Sequence, residues 1–244
     1  GAVSSLDASP RHGEWVDYDA GDGDSVRAWV VYPERSDAAP VIVVVHEIYA
    51  LTDWIRAVAD QLAAEGFLAI APDLLSGKAP GGGGTEAVDR QGAVRLIRSL
   101  DPQEVSRRVK AAASYATALP SASSSVGLVG YCWGGSTTFR LATEWLDLDA
   151  AVVFYGSSPA TETLANVEAP VLGLYGGNDA RVNATIPEAQ GAMEEMDKFY
   201  EVNLYPGAGH GFLRQQAGQD GSNMEASRQA WARTVEFFRE HLEG

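Results

Sequence analysis

The chain has 244 residues, with 18 Lys and Arg against 33 Asp and Glu, a formal net charge of −15 and one cysteine. That balance argues against nucleic acid or an anionic membrane as a partner, no apolar run reaches the roughly 20 residues of a membrane span, and a lone cysteine excludes an intrachain disulfide. A chain of this length buries about 70–75% of its unfolded surface, so it needs neither disulfide nor metal to hold a core. It begins Gly1-Ala2-Val3. The expectation is a soluble protein of the cytoplasm, or of the periplasm or exterior if a leader was removed before Gly1.

Residues 1–12 are small and polar and are expected to form a flexible arm. Glu14 to Ala20 and Val26 to Tyr32 read as paired strands around the turn residues Gly21-Asp22-Gly23-Asp24. Val41 to Val45 is continuously apolar and β-branched, the pattern of a strand covered on both faces. Thr52 is placed to cap a helix running to Ala64, with Ile55, Val58, Ala59 and Leu62 on one face and Gly66 as its stop. Phe67 to Ala71 is the next strand, closed by Pro72-Asp73. The four glycines Gly81 to Gly84 lack a following Gly-Lys-Ser/Thr, so they read as a mobile loop beside a site rather than a phosphate loop. Ala87 to Leu100 is expected to be helical. A second helix starts at Asp101, with Pro102 in its first turn and Glu104 at the capping-box position, and runs to about Ala118.

Val126 to Val129 reads as a buried strand that breaks at Gly130. Cys132 follows two residues later, then Gly134-Gly135 and a helix over Ser136 to Ala142. Strand, tight turn and helix with a nucleophile at the tip is the G-x-S-x-G elbow with cysteine in place of serine. A lone cysteine is commonly a small buried hydrophobe. A buried structural cysteine, however, has no use for this turn, where Gly130 and Gly134 permit strain and close packing and the helix start presents N–H groups to an oxyanion. Further strands are expected at Ala151 to Tyr155, Val171 to Tyr175 and Phe199 to Tyr205, with a helix at Ile186 to Met196 and an amphipathic one from about Met224 to His241.

A cysteine at an elbow needs a base, and the base an orienting acid. Open α/β sheets gather ligands at the carboxyl ends of strands. Of four histidines, His12 and His241 follow no parallel strand. His46 precedes the nucleophile and is better placed beside the oxyanion. His210 follows the last strand in a glycine-rich loop and is the candidate base. Asp73 and Asp179 both end strands; Asp179 gives the order Cys…Asp…His of α/β-hydrolases, while Asp73 more simply caps or turns.

The stretches His46-Glu47-Ile48, Ala71-Pro72-Asp73-Leu74, Gly130-Tyr131-Cys132-Trp133-Gly134-Gly135, Gly176-Gly177-Asn178-Asp179 and Gly207-Ala208-Gly209-His210-Gly211-Phe212 together resemble the dienelactone hydrolases, the carboxymethylenebutenolidase branch of the α/β-hydrolases. The resemblance spans residues 41 to 214. It implies that Cys132 attacks an ester carbonyl, His210 serves as base and then acid, Asp179 orients it, and the N–H groups of Ile48 and Trp133 bind the oxyanion. It also implies that Glu47 associates with the resting thiol until substrate displaces it. Arg90 and Arg214 fall where the family holds a substrate carboxylate, with Arg95 or Arg98 as alternatives to Arg90, and Tyr49 joins them as a substrate-binding candidate. Two positions depart from the family pattern: the small hydroxyl residue after the histidine is Gly211 here, and a pocket tyrosine is Val94.

The resulting expectation is a single α/β-hydrolase domain over residues 1–244, with a mostly parallel central sheet and helices on both faces. It would cleave a small, dienelactone-like and carboxylate-bearing ester or lactone through an acyl-enzyme, with no cofactor and no metal. Its partner is the small-molecule substrate, and it is a monomer or weak homodimer. A general carboxylesterase or thioesterase of the same fold is the alternative. A thiol redox or sensor protein is the rival of another class, and the absence of a second, resolving cysteine weighs against it.

Overall fold

The computed structural model describes all residues from Gly1 to Gly244. The chain divides into two compact units, Gly1–Val126 and Gly127–Gly244.

In the first unit the strands are β1 (Gly13–Asp19), β2 (Ser25–Val31), β3 (Ala39–Val45) and β4 (Leu68–Pro72), in the order β1-β2-β4-β3. β1 with β2 and β2 with β4 are antiparallel, and β3 with β4 is parallel. β3 and β4 are buried at every position, as their continuous apolar runs require. The helices are α1 (Ala2–Asp7), α2 (Asp53–Ala64), α3 (Arg90–Ser99) and α4 (Pro102–Thr117). α2 and α4 pack against the strands, and Ile55, Val58, Ala59 and Leu62 form the buried stripe of α2 that helical spacing called for.

Four expectations for this unit are revised. The N-terminal residues, read as a flexible arm, carry α1, and Arg11 grips the buried Asp60 through Nε and Nη2 at 3.1 and 2.6 Å. Thr52 occupies the cap position of α2 but its hydroxyl makes no capping bond. α3 starts at Arg90 and not at Ala87, because Asp89 caps it by accepting the Gly92 N–H at 2.7 Å. Asp101 caps α4 as read, but Glu104 pairs with Lys78 at 2.7 Å instead of closing a capping box.

The second unit begins within β5 (Ala122–Tyr131) and continues through β6 (Ala150–Phe154), β7 (Val171–Gly176) and β8 (Tyr200–Tyr205), paired in that order and all parallel. Its helices are α5 (Trp133–Ala142), α6 (Ala180–Asn183), α7 (Ile186–Glu195) and α8 (Ser222–Leu242). α5 packs on β6, α7 on β8, and α8 on β6 and β7. Parallel strands alternating with helices put the loops after β5, β7 and β8 at the carboxyl ends of the strands. Those loops carry Cys132, Asp179 and His210. No helix is long and apolar enough to cross a membrane.

Candidate active site

β5 runs into α5 with one residue between them. That residue, Cys132, has φ 58° and ψ −117°, a conformation a side chain adopts only when the surroundings enforce it. The enforcement is visible on both sides. The Cys132 N–H donates to the Phe154 carbonyl at 3.1 Å, and the Cys132 carbonyl accepts the Ser136 N–H at 3.1 Å. Gly130 has no room for a side chain, since a Cβ there would lie 1.9 Å from the Gly134 carbonyl oxygen. The sequence pointed to this pair but not to its counterpart across the turn, where a Cβ on Gly156 would meet the Gly135 carbonyl carbon at 2.3 Å. The first turn of α5 therefore packs backbone to backbone against the end of β5 at Gly130 and against Gly156 just past β6, with the thiol at the tip of the elbow.

The three later strand ends bring their side chains to one line. His210 Nε2 lies 3.1 Å from Cys132 Sγ, and its Nδ1 lies 2.5 Å from Asp179 Oδ2. Asp179 is 7% exposed, and its other oxygen accepts the Val182 N–H at 3.5 Å. Asp179 therefore bonds the imidazole through one oxygen and caps α6 through the other. Asp179 together with the thiol raises the His210 pKa to about 9, the aspartate bond contributing most and burial only partly opposing it. The face of His210 is bounded by Tyr155, whose ring centroid lies 5.2 Å away at 61°. Tyr155 has φ 39° and is fully buried; the sequence offered it only as the end of a strand.

The loops of this unit are cross-tied by asparagines. Asn178 donates from its N–H to the Ala208 carbonyl at 2.9 Å and from Nδ2 to the Gly207 carbonyl at 3.0 Å, joining the aspartate loop to the histidine loop. Asn223 holds the histidine loop from α8. In the sequence Asn178 belongs to the Gly176-Gly177-Asn178-Asp179 stretch but shows no role of its own, and Asn223 carries no signal distinguishing it from any polar residue near a helix start. Arg214, half-buried, lies in the turn whose N–H returns to the Gly211 carbonyl at 3.1 Å. Gly211 has φ 73°, a conformation that favours glycine.

The remaining candidates lie in the first unit. His46 is fully buried with both ring nitrogens occupied by main chain: Nδ1 donates to the Glu47 carbonyl at 3.0 Å and Nε2 accepts the Leu74 N–H at 3.2 Å. Burial lowers its pKa, against the pull of Asp73. It is a neutral strut for the turn that follows β3. In that turn Glu47 is 1% exposed, and the Ala50 N–H closes back on the Glu47 carbonyl at 3.0 Å, with Ile48 and Tyr49 between them. Arg90, the first residue of α3, stacks its guanidinium 3.7 Å over the Tyr49 ring. Val94 is half-buried one turn further along α3.

Asp73 is not a spare catalytic acid. Its Oδ2 accepts the Thr85 N–H at 2.8 Å, while its Oδ1 accepts the Thr85 hydroxyl at 2.8 Å and the Leu75 N–H at 3.0 Å. Thr85 Oγ1 in turn accepts the Leu51 N–H at 3.1 Å. The end of the glycine run, expected as a mobile loop, is thereby tied down: a Cβ on Gly84 would lie 2.4 Å from Asp73 Oδ2. No group of three or more His, Cys, Asp or Glu side chains is placed to hold a metal ion.

Residues 26–242 match the sequence model of the dienelactone hydrolase family. The carboxymethylenebutenolidase of Pseudomonas putida is 32% identical over 82% of this chain and 86% of its own length. The provisional carboxymethylenebutenolidase of Saccharolobus solfataricus is 30% identical over 91% of this chain and 96% of its own. Among solved structures, a provisional dienelactone hydrolase of Klebsiella pneumoniae superimposes with a TM-score of 0.80 at 27% identity, over 93% of this chain and 98% of that one.

Proposed function

Since the chain belongs to the dienelactone hydrolase family and is a hydrolase of that kind, we propose that it cleaves small esters or lactones by a cysteine nucleophile through an acyl-enzyme. The observation that carries this reading is the continuous Asp179–His210–Cys132 chain, at 2.5 and 3.1 Å, on a strained elbow. The family match runs through both compact units and supports a single α/β-hydrolase domain as the working part.

In the reading we favour, Cys132 Sγ attacks the carbonyl carbon and its proton is held by His210 Nε2. The charge that develops on the carbonyl oxygen meets the N–H of Trp133, which opens α5 where the helix dipole is positive. The resemblance adds the Ile48 N–H as the second donor. His210 then passes its proton to the leaving alkoxide, and Asp179 keeps Nδ1 engaged so that Nε2 stays aimed at the thiol. In the second half-reaction His210 takes a proton from water, hydroxide adds to the thioester, and the thiolate departs. The resemblance further implies that Glu47 associates with the resting thiol and that Tyr49, Arg90 and Arg214 bind the substrate, the arginines taking a carboxylate.

Mass spectrometry under turnover with a slow aryl ester tests this. The expected adduct is one acyl group on Cys132 in the wild type and none in Cys132→Ala, with hydrolysis falling by at least about a thousandfold. Wild-type turnover by Cys132→Ala would overturn the proposal. A screen pairing neutral aryl esters with carboxylate-bearing lactones separates a dienelactone-like specificity from a general carboxylesterase.

A further inference from the structure

A histidine in a loop is only as well aimed as the groups that hold its main chain. Between the end of β8 at Tyr205 and the start of α8 at Ser222 there is one 3-10 turn, Gln219–Gly221, and otherwise only turns and irregular chain. The Arg214 and Gln215 N–H groups curl back to Gly211, but that curl does not fix the loop to the rest of the unit. Asn178 fixes its entry, through Gly207 and Ala208.

Asn223 fixes both flanks of His210 at once. It lies in the first turn of α8 and is 2% exposed. Its Oδ1 accepts the N–H of Gly209, immediately before His210, at 2.9 Å, and its Nδ2 donates to the carbonyl of Gln215, five residues after it, at 2.8 Å. One turn further along, Ser227 donates to the Phe212 carbonyl at 3.1 Å. Because the Asn223 side chain is buried, removing its carboxamide leaves the Gly209 N–H and the Gln215 carbonyl without that partner, and the loss is costly. Asn223 touches neither the thiol nor the imidazole.

We propose that Asn223 is a positioning residue for His210, whose carboxamide spans the loop from Gly209 to Gln215 and so sets how Nε2 faces Cys132 Sγ. This rests on the Cys132–His210–Asp179 reading above.

Asn223→Ala removes both bonds. Asn223→Asp keeps an acceptor for the Gly209 N–H but turns a carboxylate oxygen toward the Gln215 carbonyl, and it carries the same test if the alanine variant does not fold. Thr234→Val is the control: Thr234 is fully buried on the same helix, and its hydroxyl bonds the Ala230 carbonyl within that helix. Two quantities are read on folded protein, the kcat and KM for a neutral aryl ester and the NMR titration midpoint of His210. For Asn223→Ala we expect kcat to fall by about ten- to a hundredfold with KM within about twofold, the scale of a misplaced catalytic group. The His210 midpoint should drop from near 9 toward that of an ordinary imidazole. Asn223→Asp should lie between, and Thr234→Val should keep both values whatever its melting temperature. If Asn223→Ala melts early but keeps wild-type kcat and titration, its role is packing alone and the proposal fails. If His210→Ala hydrolyses the ester as the wild type does, the reading beneath it fails first.

Discussion

At the scale of single residues, the chemistry follows from how one imidazole is placed. His210 is raised to about 9 first by its bond to Asp179 and then by the thiol. On the proposed mechanism, a His210 held protonated up to about that pH would supply the proton to the leaving group. Activity should show an alkaline limb near pH 9. Asp179→Asn removes the largest cause of the shift and should move that limb down toward the ordinary imidazole value of about 6.5 while lowering turnover by orders of magnitude. The same group bears on stability. Its folded pKa is raised, so the stabilisation it contributes is fully present below about 6.5 and is lost as pH rises through about 9. The melting-temperature gap between wild type and Asp179→Asn should thus be wider at pH 6 than at pH 10. A gap independent of pH, or an alkaline limb that does not move, would show that the Asp179–His210 bond does not govern this titration. His46→Ala should disturb the turn after β3 without shifting the limb, since both of its ring nitrogens are spent on main chain.

At the scale of elements, the elbow is where the fold concentrates its strain. Gly130→Ala would drive a methyl into the Gly134 carbonyl, and Gly156→Ala would press one against Gly135. Because both neighbours are backbone, neither can swing aside, and we expect each variant to lose about 3 kcal/mol or more in urea unfolding. Gly191→Ala is the contrast, since nothing lies within 4 Å of a Cβ there, and it should be neutral to slightly stabilising in helix α7. Equal losses at all three positions would deny the elbow its special packing. This also explains what was legible beforehand. The elbow could be read because the apolar run, glycines and sole cysteine carry their signal in adjacent residues. Asp179 and His210 could be read because chain order and strand ends constrain them. The anchors could not. Asn223, Asp73 with Thr85, and the Arg11 grip on Asp60 act across 14, 12 and 49 residues of sequence, and a single polar side chain in a helix or turn gives no sign of a distant partner. Short 3-10 turns and the cap at Asp89 were missed because helix ends depend on one or two bonds, whereas buried stripes sum over many.

For the whole molecule, the net charge of −15 bears on the carboxylate-bearing substrate that the family resemblance implies for Arg90 and Arg214. A carboxylate-bearing substrate is repelled at long range, so its binding requires cations at close quarters, and a guanidinium offers a carboxylate two parallel hydrogen bonds. Arg214 sits in the loop that carries His210, and Arg90 is held over Tyr49. The long-range and close-range terms respond differently to salt. Repulsion from scattered surface charge is screened once the Debye length falls to about 10 Å near 0.1 M, whereas a contact at hydrogen-bond distance is screened much less. Raising ionic strength from low to physiological values should therefore lower KM for a carboxylate-bearing ester by about two- to threefold and leave its neutral methyl-ester counterpart unchanged. Arg214→Ala should raise KM for the acid by about ten- to a hundredfold, the worth of one charge-assisted contact of about 1.5–3 kcal/mol, and spare the neutral member. Steady-state kinetics on the matched pair distinguishes the outcomes. If Arg214→Ala damages both members equally, Arg214 supports the loop around His210 and does not read the substrate. If the wild type shows no preference for the acid at any ionic strength, the carboxylate clamp implied by the family is not in use here, and the enzyme is a hydrolase of neutral esters.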